Sequence, residues 1–204
     1  LAATVGAWVL DEACAQAAEW MRYGLRDFRM GVNLFGAQFR MDDLASRVIS
    51  ALERHGLPPE ALELEITENI VLDNDDLVLQ SLQLLRDKGV GVAFDDFGTG
   101  YASLSLLKRY PLSRIKIDRS FVQGMIASPQ DKTVIAAVLD MANAFKLETI
   151  AEGIETEEQR SALLAIGCAE GQGYLFSKPI PASEFAAVYD IEVRGNSGLK
   201  TGTR

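Results

Sequence analysis

Five strand-like apolar runs in this 204-residue chain each carry a polar group at or near their carboxyl end. Asn33 lies in Gly31-Val32-Asn33-Leu34, and Glu65 in Leu64-Glu65-Ile66-Thr67. Asp95 and Asp96 follow Val92-Ala93-Phe94, Lys116 lies in Ile115-Lys116-Ile117, and Glu152 in Ile150-Ala151-Glu152-Gly153. Burying several carboxylates together is prohibitive unless cations neutralise them. Carboxylates with a carboxamide are hard oxygen donors, a set that suits Mg²⁺, Mn²⁺ or Ca²⁺ rather than zinc. Adjacent Asp95 and Asp96 suit two ions, one carboxylate bridging while its neighbour serves the second. Ions about 3.5–4 Å apart clamp a phosphodiester and activate a water between them. Lys116 would then orient that water or stabilise charge on the phosphate. The competing reading is that these groups make ordinary structural contacts, such as a Lys116–glutamate salt bridge.

Other chemistries lack their residues. His55 is the sole histidine, in Glu53-Arg54-His55-Gly56 at an expected helix end, where its charge suits the terminus. No Ser-His-Asp relay, Cys-His pair or H-E-x-x-H site is built from it. Asp96-Phe97-Gly98 matches the kinase D-F-G tripeptide without a Gly-rich phosphate loop, a V-A-I-K strand or an H-R-D loop. Gly98-Thr99-Gly100 reads as a tight turn after a strand, and no P-loop sequence occurs. The net charge of −9 argues against a long nucleic-acid partner, which normally meets a basic stripe, and a small anionic substrate would need bound cations. Cys14 and Cys168 read as free thiols of a reducing, cytoplasmic setting, with neither a membrane span nor a secretory leader in view.

The elements that must position these groups alternate along the chain. Strands are expected at Phe28–Leu34, Leu62–Thr67, Val90–Phe94, Arg114–Asp118, Thr149–Glu152 and Gly173–Phe176. Helical patterns cover Val5–Tyr23, Gln38–His55, Asp75–Lys88, Ala102–Lys108, Asp131–Phe145, Glu157–Ile166 and Ala182–Tyr189. Gly56, Gly89 and Gly167 follow three of them as left-handed caps. The strands, rich in Val, Ile and Leu, are expected to be covered on both faces rather than to alternate cleanly. Such alternation of strand and helix implies a parallel α/β fold, either a barrel short of its first units or an open doubly wound sheet. Residues 190–204 read as a disordered or vector-derived tail.

Six motifs then carry a resemblance: Val32-Asn33-Leu34, Glu63-Leu64-Glu65-Ile66-Thr67-Glu68, Asp95-Asp96-Phe97-Gly98-Thr99-Gly100-Tyr101, Lys116-Ile117-Asp118-Arg119-Ser120-Phe121, Ala151-Glu152-Gly153-Ile154-Glu155-Thr156 and Gln172-Gly173-Tyr174-Leu175-Phe176. In unbroken order they make residues 1–189 resemble the EAL-domain family of bacterial cyclic di-GMP phosphodiesterases. The resemblance implies a TIM-type (β/α) barrel with one antiparallel strand, and hydrolysis of cyclic di-GMP to linear pGpG with two cations, Mg²⁺ or Mn²⁺. It implies that Asn33, Glu65 and Asp95 hold the first metal, and that Asp95 and Asp96 hold the second with Glu152 beside it. Lys116 is similar to the lysine that contacts the attacking water, and Glu155 and Gln172 to residues lining the substrate pocket. Glu68 is similar to the glutamate that steadies the Asp96–Gly100 loop, near which the family's homodimer contact is expected. A fused sensory or GGDEF domain is a further expected partner. Glu60-Ala61-Leu62 spells the signature tripeptide without its following Leu-x-Arg-Trp context, so the signature glutamate and its arginine are expected on a strand before residue 1. On that expectation two strands are missing and turnover by this chain is impaired. Phe35 and Asn143 replace a more usual Ser and His. The alternative is a cyclic di-GMP receptor or dimerising module without catalysis.

Overall fold

The computed structural model describes residues 2–39, 43–67, 70, 75–99 and 104–188. Helix α1 (Ala2–Arg22) precedes β1 (Met30–Asn33), then α2 (Gly36–Phe39) and α3 (Leu44–His55) lead to β2 (Leu62–Thr67). The chain continues through α4 (Asp75–Asp87), β3 (Gly91–Phe97), α5 (Leu104–Arg109), β4 (Arg114–Ile117), α6 (Arg119–Gly124) and α7 (Pro129–Phe145). It closes with β5 (Glu148–Ala151), α8 (Glu157–Ala165), β6 (Glu170–Gly171) and α9 (Ala182–Val188). The strands form one sheet in chain order, β1 to β6, and all their pairings are parallel. The antiparallel strand implied by the resemblance is not among these six.

Helix ends follow local chemistry. Gly56, Gly89 and Gly167 all have positive φ, the left-handed conformation that suits glycine. Helix α7 ends instead on Lys146 at φ 57°, a left-handed cap outside glycine. Thr156 and Gln159 cap α8 reciprocally, each side chain meeting the other's backbone N–H. The expected helix over Gln38–His55 divides into α2 and α3, and α6 is a turn too short for a periodic signal. The expected strand at Gly173–Phe176 is a turn, and β6 lies earlier at Glu170–Gly171, paired with Ile150 and Ala151. No helix among the described residues is long and apolar enough to cross a membrane. The tail 190–204 lies outside the described residues.

The expectation that both strand faces are apolar is corrected by the structure. Leu62, Leu64 and Ile66 of β2, and Ile115 and Ile117 of β4, are buried in the core shared with the helices. Their alternate neighbours, Glu63, Glu65, Arg114 and Lys116, project to the other face and meet one another there. A side chain on every second residue therefore separates an apolar helix layer from a charged interior. The interior also shows that the sheet is curled. Three strand spacings separate β2 from β5, about 14 Å in a flat sheet. Yet Glu65 and Glu152 both lie within 2.8 Å of the Lys116 Nζ.

At the amino ends of the strands, Arg114 bridges three acids. Its Nη2 meets Glu148 Oε2 at 2.7 Å, its Nη1 meets Glu170 Oε2 at 2.8 Å, and its Nε faces Glu63 Oε2 at 3.2 Å. Arg29 makes a second ion pair to Glu148. Hydrogen bonds from Arg29, opposed by partial burial and reinforced by Arg114, pull the Glu148 carboxyl down from 4.5 to about 2. A carboxyl lowered on folding stabilises the native state above its ordinary pKa, and that contribution disappears as pH falls from 4.5 towards 2. Because Glu148 is half exposed, solvent screens much of the effect. In urea titrations, Glu148→Gln should unfold more easily than the unchanged protein at pH 7, and the two should converge near pH 2.

Candidate metal and phosphodiester site

At the opposite, carboxyl end of the sheet, one ammonium gathers acids from three other strands or their ends. Lys116 Nζ donates to Glu65 Oε2 at 2.7 Å and lies 2.8 Å from both Asp95 Oδ1 and Glu152 Oε1. The Lys116, Glu65, Asp95 and Glu152 side chains are each at least 85% shielded from solvent. Gly31 makes room on β1, since a Cβ there would overlap Glu65 Oε1. Gln172, just past β6, donates through Nε2 to Glu152 Oε1 at 2.6 Å. These five residues therefore form one bonded cluster. Asn33 ends β1 opposite Glu65 in register, exposed on the same rim.

Adjacent residues of a regular strand point to opposite faces, which would send Asp96 away from Asp95. A bulge removes that obstacle. Between β3 and β4 the register passes from Phe94–Ile115 to Phe97–Ile117, so Asp95 and Asp96 together stand opposite Lys116. Asp96 takes φ 52°, a left-handed conformation that non-glycine residues adopt rarely and Asp more readily than most. As a result, one oxygen from each of Asp95, Asp96 and Glu152 lies within 4.8 Å of the other two. Among the described residues this is the acidic group able to share an ion.

The electrostatics are those of a site with excess negative charge. Burial pushes the Asp96 carboxyl up, and the charges of Asp95 and Asp118 push it further. Burial likewise raises Glu152, against the pull of Lys116. Desolvation works to lower Lys116, but Glu65, Asp95 and Glu152 outweigh it and hold its pKa above the ordinary lysine value. One cation thus faces three carboxylates, with Asp96 beside them. Asp95 Oδ1 is buried and, despite its ion pair, accepts no well-aligned hydrogen bond. Three carboxylate oxygens drawn together in excess over the one ammonium are a donor set that fits a divalent cation.

Two further residues complete the neighbourhood. Asp118 caps α6, accepting from the Ser120 N–H at 2.9 Å and from its hydroxyl. Gln123 donates to Glu155 Oε1 at 3.2 Å and so holds that exposed carboxylate beside Glu152. The Asp118-Arg119-Ser120 spacing signals the cap in sequence, whereas the Gln123–Glu155 contact joins α6 to the loop before α8 and has no local signature. Glu155 and Gln172 line one cavity. Glu68 lies outside the described residues, as do Gly100 and Tyr101 of the turn after β3.

The family model for the EAL domain matches residues 1–179. The chain is 42% identical over 183 residues to the bifunctional diguanylate cyclase/cyclic di-GMP phosphodiesterase MucR of Pseudomonas aeruginosa, covering 90% of this chain and 27% of that protein. It thus spans about a quarter of the length of the curated relatives it matches. The solved PaMucR phosphodiesterase, in complex with cyclic di-GMP, superposes with a TM-score of 0.84 at 41% identity, over 89% of this chain and 74% of that one. Klebsiella pneumoniae BlrP1, in a manganese/cyclic di-GMP complex at pH 6, gives 0.76 at 30% identity, over 84% and 44%. The architecture is that of a TIM-type (β/α) barrel, with six successive parallel strands among the described residues.

Proposed function

This chain belongs to the EAL-domain family, and on that premise we propose that the protein hydrolyses cyclic di-GMP to linear pGpG using two divalent cations, Mg²⁺ or Mn²⁺. The observation that carries the reading is the gathering of Glu65, Asp95 and Glu152 around Lys116, with Asp96 turned onto the same rim by the bulge. Asn33, Glu65 and Asp95 would hold one cation, and Asp95, Asp96 and Glu152 the other. Such ions supply Lewis acidity for the phosphodiester and lower the pKa of an attacking water. Lys116, released from some of its carboxylates, would donate hydrogen bonds to that water or to the phosphate. Gln172 fixes the Glu152 carboxylate from the pocket side, and Glu155, steadied by Gln123, offers an acceptor to the substrate.

A second reading, a receptor that binds cyclic di-GMP without cleaving it, is favoured by one observation: Lys116 partly neutralises the cluster by itself. Incubation of the full-length protein, including whatever precedes residue 1, with cyclic di-GMP and Mn²⁺, followed by chromatography, tests both. Appearance of pGpG, abolished by EDTA, is the expected result. Binding in calorimetry without product would support the receptor, and absence of both binding and product would reject the two together.

A further inference from the structure

A cavity of about 530 Å³ opens beside the carboxylate cluster and shares Glu152 and Gln172 with it. Its walls carry two cations, Arg119 and Lys178, together with Glu155 and Tyr174. Lys178 stands over the Tyr174 ring, 5.7 Å from its centroid. Arg119 is different. Glu152 is engaged by Lys116 and Gln172, and Glu155 by Gln123, so the acids of this wall already have partners. Among the described residues the Arg119 guanidinium forms no ion pair.

The base of its side chain nonetheless lies against the wall. Gly153, at φ 71°, separates Glu152 from the Ile154-Glu155 segment, and a Cβ there would come within 2.5 Å of Arg119 Cβ. The Glu152–Glu155 loop therefore packs against the base of the Arg119 side chain, from which the exposed guanidinium extends along the cavity wall. An unpaired guanidinium held beside an acidic centre is a receptor for an anion, because its planar fork matches two phosphate oxygens.

Resting on the proposed function, we infer that Arg119 is a substrate-positioning residue that receives the second phosphate of the cyclic dinucleotide, the one not cut at the carboxylate cluster. A cyclic dinucleotide carries two phosphodiester anions. The cation-binding cluster neutralises one of them. The other would meet Glu152 and Glu155, and of the two cations on that wall Lys178 lies over Tyr174 while Arg119 has no ion-pair partner among the described residues.

The test compares the unchanged protein with Arg119→Ala and Arg119→Lys by calorimetry, titrating cyclic di-GMP in Ca²⁺ and, separately, Mn²⁺ alone. Arg119→Ala should weaken cyclic di-GMP binding roughly 10- to 100-fold, the loss expected for two charge-assisted hydrogen bonds. Arg119→Lys should recover part of it, keeping the charge without the fork. Affinity for Mn²⁺ should stay the same. Because the contact is ionic, the gap between the unchanged protein and Arg119→Ala should narrow as NaCl rises. Unchanged cyclic di-GMP affinity in Arg119→Ala would overturn the assignment, and a loss indifferent to salt would transfer the contact to a base edge. An equal loss of Mn²⁺ affinity would make Arg119 a support of the cluster and overturn it too. Failure of the unchanged protein to bind cyclic di-GMP would reject the functional reading, and this assignment with it.

Discussion

Replacing Lys116 with Met should lower the thermal unfolding midpoint at pH 7 by roughly 6–20 °C, and Mn²⁺ should restore most of the loss. Lys116 is buried against Glu65, Asp95 and Glu152, at 2.7, 2.8 and 2.8 Å. Removing one partner from a buried ion pair leaves the opposing charge uncompensated, at a cost of about 3–5 kcal/mol. In a domain of this size each kcal/mol moves the midpoint by roughly 2–4 °C. Here three carboxylates lose their one shared cation, so the upper part of the range applies. A divalent ion binding the native cluster adds stability by mass action, and more in the variant, where no ammonium competes for the same oxygens. Lowering the pH should also shrink the deficit, since burial already favours protonation of Glu152. Calorimetric scans at pH 7 and pH 5, with and without Mn²⁺, read all three effects. Equal stabilisation of both proteins by Mn²⁺ would show that the ion binds elsewhere.

Asp95→Asn should separate stability from chemistry. Asn keeps the shape of Asp and removes one negative charge from a cluster in which one ammonium faces three. Like-charge repulsion falls, so the melting temperature should hold or rise. Function should move the other way. In the proposed mechanism Asp95 serves both cations, and a carboxamide would offer them a single neutral oxygen. Hydrolysis of cyclic di-GMP should drop by at least about 10²-fold, the scale on which one electrostatic contact to a transition state is felt. Affinity for Mn²⁺ should fall alongside it. A variant that folds as well as its parent and still yields pGpG at a comparable rate would remove Asp95 from the reaction.

The parts of this arrangement that were legible in sequence share one property: they are local. Five of the six strands, and the glycine caps at 56, 89 and 167, follow from runs and punctuation within a few residues. So does the placement of Asn33, Glu65, Lys116 and Glu152 at or near carboxyl ends. Gly173–Phe176 misled because Tyr174 and Phe176 are strand-forming types, yet both sit exposed in a turn. The charged interior was legible in principle, in Leu62-Glu63-Leu64-Glu65-Ile66-Thr67 and Arg114-Ile115-Lys116-Ile117, where every second residue is apolar. What one segment cannot reveal is how acids from β2, β3 and the end of β5 meet on one lysine. That depends on sheet curvature, which strand spacing and register set across the whole fold.

The irregularity at Asp95-Asp96 makes the spacing of the backbone part of the chemistry. Were one residue deleted there, the ladder to β4 would become uniform and the strained torsion would vanish, so the protein would gain in regularity. The same deletion would leave a single acid where two now stand, with the next side chain sent into the apolar layer beneath the helices. A relative could keep every acidic letter nearby and still lose the pair by a shift of one position. Counting residues between Phe94 and Phe97 therefore diagnoses a competent centre better than matching their identities.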